Sequence, residues 1–242
     1  RQAWRMLLRD WRAGELAVLA AALVVAVASV TSVAFFAVRV SRALVRDAHQ
    51  LLGADLVLVS DHPWKPGVAD EIVRRGLERA EATTFISMAR TGEGDAARGQ
   101  LAGVKAVSEK YPLRGKLRIA PEPNAPDAIA NEGPKRGTVW IEERLITAVD
   151  APVGSKLRLW AGTFEVAAVI TLEPERSANF FNIAPRLMMN IADVPATKLV
   201  QTGSRVWFYL YAAGTREKNA EFEPWAKQQL ERGQRVENLE NG

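Results

Sequence analysis

The chain has 242 residues, of which 48% are hydrophobic and 25% charged, with a formal net charge of +4 and no cysteine. That length allows one or two domains with cores of their own. The missing cysteine excludes disulfides, thiolate metal sites and Cys nucleophiles, and a small positive charge without a basic stripe interleaved with aromatics leaves no footprint for nucleic acid.

Residues 1–15 place Trp4, Leu7, Leu8 and Trp11 on one side of a helical wheel and Arg1, Arg5, Arg9 and Arg12 on the next. This is the pattern of an amphipathic helix lying in a membrane interface, with Trp at headgroup depth. A helix packed on protein gives the same wheel. Residues 16–38 then run without a charge, Pro or Gly, bounded by Glu15 and Arg39. A helix of that length reaches roughly 35 Å, enough for a hydrocarbon core of about 30 Å. The run is too long for a signal peptide and lacks the polar face of a soluble helix, so it reads as a membrane span. Four Arg precede it and Arg39, Arg42 and Arg46 follow, which favours a cytoplasmic N-terminus by one residue. Val40, Leu44 and Leu51 keep helical spacing, and nothing breaks the pattern before Gly53. Residues 39–52 are therefore expected to continue the helix as a stalk; a short linker helix is the alternative.

After Gly53 the texture changes. Residues 54–60 read as a strand, 68–80 as a helix with Ile72, Val73, Gly76, Leu77 and Ala80 on one face, and 83–90 and 100–107 as strands around a Gly-rich turn at 91–98. Residues 121–137 hold four prolines and read as an exposed loop. Strand-like runs follow at 138–141, 156–160, 163–171 and 186–190, with a short helix at 142–149. The closing segment repeats the opening grammar: a strand at 205–212, a helix at 215–232 and a last strand at 235–239. Two strand–helix–strand units at the ends of a domain predict a ferredoxin-like sheet with helices on one face. The fold class is thus α+β: a transmembrane helix with a stalk, then a ferredoxin-like domain from residues 53–109 and 203–242, carrying a β-rich inserted subdomain at 110–202.

No segment carries a recognisable chemistry. The phosphate loop GxxxxGK[ST], HExxH and GxSxG are all absent, and Gly92-Glu93-Gly94 reads as a hairpin turn. Glu142, Glu143, Glu173 and Glu175 read as solvated carboxylates. His62 beside Asp61 reads as a loop histidine, since two residues do not make a metal site. No catalytic, cofactor or metal residue is expected.

Four stretches carry a family resemblance: residues 10–36 (DWRAGELAVLAAALVVAVASVTSVAFF), 51–61 (LLGADLVLVSD), 104–117 (VKAVSEKYPLRGKL) and 182–210 (NIAPRLMMNIADVPATKLVQTGSRVWFYL). They resemble ABC transporter permeases of the MacB/FtsX type, in their YbbP-like branch, in the right order over nearly the whole chain. Arg114, Arg186 and Arg205 each fall in one of these stretches, where they either meet an acidic partner, cap a turn or pair internally with a carboxylate. The resemblance implies a porter-type outer domain, a permease homodimer in the bacterial inner membrane and a separate cytoplasmic ATPase. It also implies mechanotransmission, the passing of ATP-driven motion along the stalk to a periplasmic domain. A periplasmic esterase or thioesterase partner and hydrophobic or lipid-like cargo are further implications. Family members have more spans after the outer domain, so the chain is expected to be an N-terminal fragment. A bitopic sensor with a ligand-binding periplasmic domain is the competing expectation.

Overall fold

The computed structural model describes residues 15–92, 97–174, 184–201 and 203–238, with the side chains of 15–17 and 41–52 outside that description. The interfacial helix expected at 1–15 falls almost wholly outside it, as do Glu93 to Ala96 of the expected Gly-rich turn and Glu175. The chain divides into two units, Arg1–Asp47 and Ala48–Gly242.

Helix α1 (Glu15–Leu52) is continuous over 38 residues. Within it Val18–Val40 is long and apolar enough to cross a membrane, and none of that window is buried against protein. The long uncharged run and the lack of Pro or Gly explain both features.

In the second unit, β1 (Leu56–Ser60) is followed by α2 (Val68–Arg74), β2 (Glu78–Thr91) and β3 (Arg98–Val107). The next elements are β4 (Leu117–Ala120), β5 (Ala128–Ala130), β6 (Thr138–Glu142) and α3 (Glu143–Val149). Then come β7 (Lys156–Leu159), β8 (Gly162–Leu172), β9 (Arg186–Asn190), a short 3-10 turn and α4 (Val194–Thr197). Strand β10 (Trp207–Ala213), α5 (Arg216–Gln228) and β11 (Gln234–Glu237) close the unit.

One half of the sheet runs β11-β1-β10-β2, every neighbour antiparallel, with Leu58 opposite Leu210 and Val236. This is the ferredoxin-like order. Leu56 and Leu58 of β1, with Leu210 and Ala212, pack under α2 and α5 against Ile72, Phe222 and Ala226. Val57 and Val59 point the other way, into a core with Tyr111, Trp140, Met188 and Tyr211. Both faces of β1 are thus covered, which is why its sequence is continuously apolar rather than alternating.

The helix expected at 68–80 is shorter. It stops at Arg74 because Gly76 takes φ +71°, with its N–H bonded to Val73 O and the Leu77 N–H to Ile72 O. That left-handed cap ends the helix, and Leu77 and Ala80 are apolar as part of the approach to β2 and β2 itself, not as helix positions. Two short strands pair with each other, β5 inside the stretch expected to be loop and β4 just before it, where no element was expected.

The other half of the sheet closes on itself. Pairings β2–β3, β3–β9, β9–β6, β6–β8, β8–β7 and β7–β2 form a ring of six strands. Its interior holds Phe85, Val104, Ile141, Leu157, Phe164 and Leu187, joined by Leu145 and Val149 of α3. Strands β2 and β3 come from residues 53–109 and the remaining four from 110–202, so hydrogen bonds run without a break between the two segments.

Candidate functional site: two polar clusters built from the motif residues

The chain leaves α1 at Leu52 and enters β1 through Gly53, Ala54 and Asp55. Here two of the family-like stretches meet. Arg114 grips the Asp55 carboxylate with two hydrogen bonds, Nε to Oδ1 at 3.0 Å and Nη2 to Oδ2 at 2.9 Å. The Gly214 N–H and Asn219 Nδ2 also donate to Asp55 Oδ2, at 2.9 and 3.1 Å. Arg114 further donates from its own N–H to Gly53 O and from Nη1 to Leu113 O. The Asp55 side chain is 9% exposed and that of Arg114 33%. A bidentate, charge-assisted pair in this setting fixes geometry as well as adding energy. The first residues after α1 are thereby tied to the 104–117 stretch and to the β10–α5 turn at the same point.

The second cluster is more deeply buried. Lys105 lies in β3 with Nζ donating to Tyr111 Oη at 2.7 Å and standing 3.3 Å from Glu173 Oε1. Arg186, at the start of β9, donates from Nε to Glu173 Oε2 at 2.8 Å. The Arg186 N–H donates to Glu142 Oε2, which places Glu142 beside Arg144 as well. Lys105 also sits 4.4 Å from the centre of the Tyr111 ring, and Tyr111 packs on Tyr211 with ring centres 5.2 Å apart. The side chains of Lys105, Glu173 and Arg186 are 4%, 2% and 9% exposed. Cations this deep are tolerated only when a carboxylate and hydrogen bonds replace the lost water. The cluster joins the 104–117 stretch to Ala184-Pro185-Arg186.

Of the three motif arginines, Arg114 and Arg186 therefore pair internally. Arg205 is exposed and forms no ion pair among the described residues. Glu173 corrects the expectation of a solvated carboxylate: it is buried because two buried cations converge on it. Glu143 is exposed and Glu142 half-buried. His62 stands at the end of β1, with Nδ1 2.7 Å from Asp61 Oδ1 and Nε2 3.7 Å from Glu231. A hydrogen bond from Lys65 holds the Glu231 carboxyl below its usual range. Among the described residues no three His, Asp or Glu side chains are grouped to hold a metal ion. Asp55 and Lys105 were not singled out from the sequence, and Glu173 was read there only as a solvated carboxylate. A signal was present for two of them: Asp55 and Lys105 are lone charges at the edge or centre of apolar strands, where a charge is rarely buried without a partner.

No protein-family profile matches the chain. It is 32% identical over 233 residues to the uncharacterized ABC transporter permease YbbP of Escherichia coli (strain K12), which covers 96% of the chain and 27% of the relative. The chain thus spans about a quarter of the length of that relative. Among solved structures it is similar to the extracellular domain of the noncanonic ABC-type transporter YknZ from Gram-positive bacteria, with 9% identity and a TM-score of 0.49 over 76% of this chain and 100% of that one. The periplasmic region of MacB from Actinobacillus actinomycetemcomitans aligns with 11% identity and a TM-score of 0.48, covering 79% and 92% of the two chains. The chain is thus similar over nearly its whole length to one stretch of an ABC transporter permease, YbbP of Escherichia coli.

Proposed function

We propose that the chain is part of the permease subunit of an inner-membrane ABC transporter that works by mechanotransmission. The single observation that supports this reading is the length of α1, which runs on as helix past its apolar window to Leu52. A helix of 38 residues is about 57 Å long, some 25 Å more than the hydrocarbon core needs. A helix that outlasts the hydrocarbon core by this much is suited to carrying motion away from the membrane. On this reading the N-terminus is cytoplasmic and residues 53–242 are periplasmic. Residues 53–109 with 203–242 form the porter-like part, and 110–202 the insertion. The subunit works as a homodimer with a separate cytoplasmic ATPase, beside a periplasmic esterase or thioesterase, and acts on hydrophobic or lipid-like compounds at the outer face.

The test uses the full-length permease. It is expected to co-purify with a soluble ATPase, and Asp55→Asn is expected to leave ATP hydrolysis in place while the transport-linked phenotype drops at least tenfold. Asn keeps the shape of Asp55 and removes the charge that Arg114 grips. Absence of any ATPase partner, or full transport by a folded and inserted Asp55→Asn protein, would contradict the proposal.

A further inference from the structure

Arg205 is the motif arginine that the two clusters leave over, and its surroundings explain why it stands apart. The turn before it is braced: Ser204 Oγ donates to Leu199 O at 3.0 Å and accepts from the Gln201 N–H at 3.0 Å, while the Ser204 N–H bonds to Gln201 O at 2.9 Å. Gln201 Nε2 in turn donates to Lys198 O at 2.8 Å. Gly203 takes φ +87°, which lets the turn reverse so tightly. Arg205 is therefore presented from a fixed support, yet its guanidinium has no carboxylate among the described residues.

Beside it opens a cleft of about 230 Å³ lined by Phe85, Ile86, Leu199, Ser204, Arg205 and Val206. Phe85 and Val206 are 3% and 4% exposed and belong to the apolar interior of the six-strand ring. Leu199 packs on that same interior. The floor of the cleft is thus the edge of a hydrocarbon core, and its rim carries a free positive charge. Small-molecule sites combine apolar walls with placed polar groups; here Phe85, Ile86, Leu199 and Val206 supply the first and Ser204 and Arg205 the second. A guanidinium offers paired N–H donors that match a carboxylate or phosphate. At about 30 Å³ per water-sized group the cleft holds roughly eight such groups, the size of a short alkyl chain and not of a whole lipid.

We propose that the cleft between Phe85, Ile86, Leu199 and Val206, with Arg205 at its rim, binds amphiphiles that carry one anionic head on a short apolar chain. The head meets Arg205 and the chain lies over Phe85 and Val206. The cleft is lined entirely by residues 85–206, so its occupation is read apart from the coupling role proposed for α1.

The test is a titration of the full chain in phosphatidylcholine nanodiscs with octanoate labelled at its carboxyl carbon, followed by NMR, with empty nanodiscs as the reference. Saturable binding beyond that of empty discs is expected. Arg205→Gln should weaken it at least fivefold, Arg205→Lys should keep part of it, and 1-octanol should bind both forms equally. Ile86→Trp, which fills the cleft while leaving Arg205 in place, should abolish it. Octyl phosphate separates the two head chemistries: stronger binding than octanoate assigns the site to phosphate heads, weaker binding to carboxylates, and either result sustains an anion site. Octanoate binding no greater than in empty discs, or equal binding by the Arg205→Gln protein, overturns the proposal.

Discussion

Glu173 lies between Lys105 and Arg186, with oxygens 3.3 and 2.8 Å from the two cations. Removing its charge while keeping its shape tests what holds this cluster. Glu173→Gln is expected to cost about 3 kcal/mol or more, because two buried cations lose the carboxylate they converge on; chemical denaturation of the full chain, followed by a probe within residues 48–242, measures it. A change within about 0.5 kcal/mol would mean that water already solvates the pair. Asp127 offers the contrasting surface case. The hydrogen bonds from Arg118, then the one from Thr171, hold its carboxyl well below its ordinary value of 3.8, and so join β4, β8 and the start of β5. A depressed carboxyl contributes stability that is fully present above the ordinary value and is lost as pH falls below it. Amide protection in Ala128–Ala130 should therefore hold from neutral pH down to about pH 4 and fall below that. Asp127→Asn should show the same loss already near neutrality, and unchanged protection in that variant would contradict the assignment.

At the scale of elements, the helix face of the ferredoxin-like half depends on a few large side chains. Ile72 is fully buried between α2, α5 and β1, so Ile72→Ala should cost about 3 kcal/mol through lost burial and a residual cavity, read from the denaturation midpoint. A cost below about 1 kcal/mol would show that α2 is not anchored there. Strands β1 and β10 and helix α5 were legible in the sequence, since apolar runs and helical spacing are local signals. Helix α2 was overread, because Ile72, Leu77 and Ala80 keep helical spacing across a glycine that ends the helix. Strands β4 and β5 were missed because four and three residues are too few to show a period. The six-strand ring was also invisible, since β2–β7 and β3–β9 pair residues some 70 and 80 positions apart and no local pattern reports that. Of the polar clusters, the arginines were legible as motif members, but the carboxylates that receive Arg114 and Arg186 stand 59 and 13 residues away, and only the fold pairs them.

For the whole molecule, the sheet, the ring and the two clusters connect residues 48–242, and α1 is a continuous helix by its own hydrogen bonding. Load on such a helix is transmitted only while its ladder is unbroken. The most direct measurement places Ala43→Pro in the full permease–ATPase complex and follows ATP hydrolysis and the transport-linked phenotype together. Proline at that interior position removes one ladder bond and clashes with the preceding turn, at about 3 kcal/mol or more, whereas Ala43→Leu preserves the helix and serves as the control. Continued hydrolysis with loss of the phenotype in Ala43→Pro, and full function in Ala43→Leu, is the predicted result. A folded and inserted Ala43→Pro protein that retains the phenotype would show that α1 is only a tether.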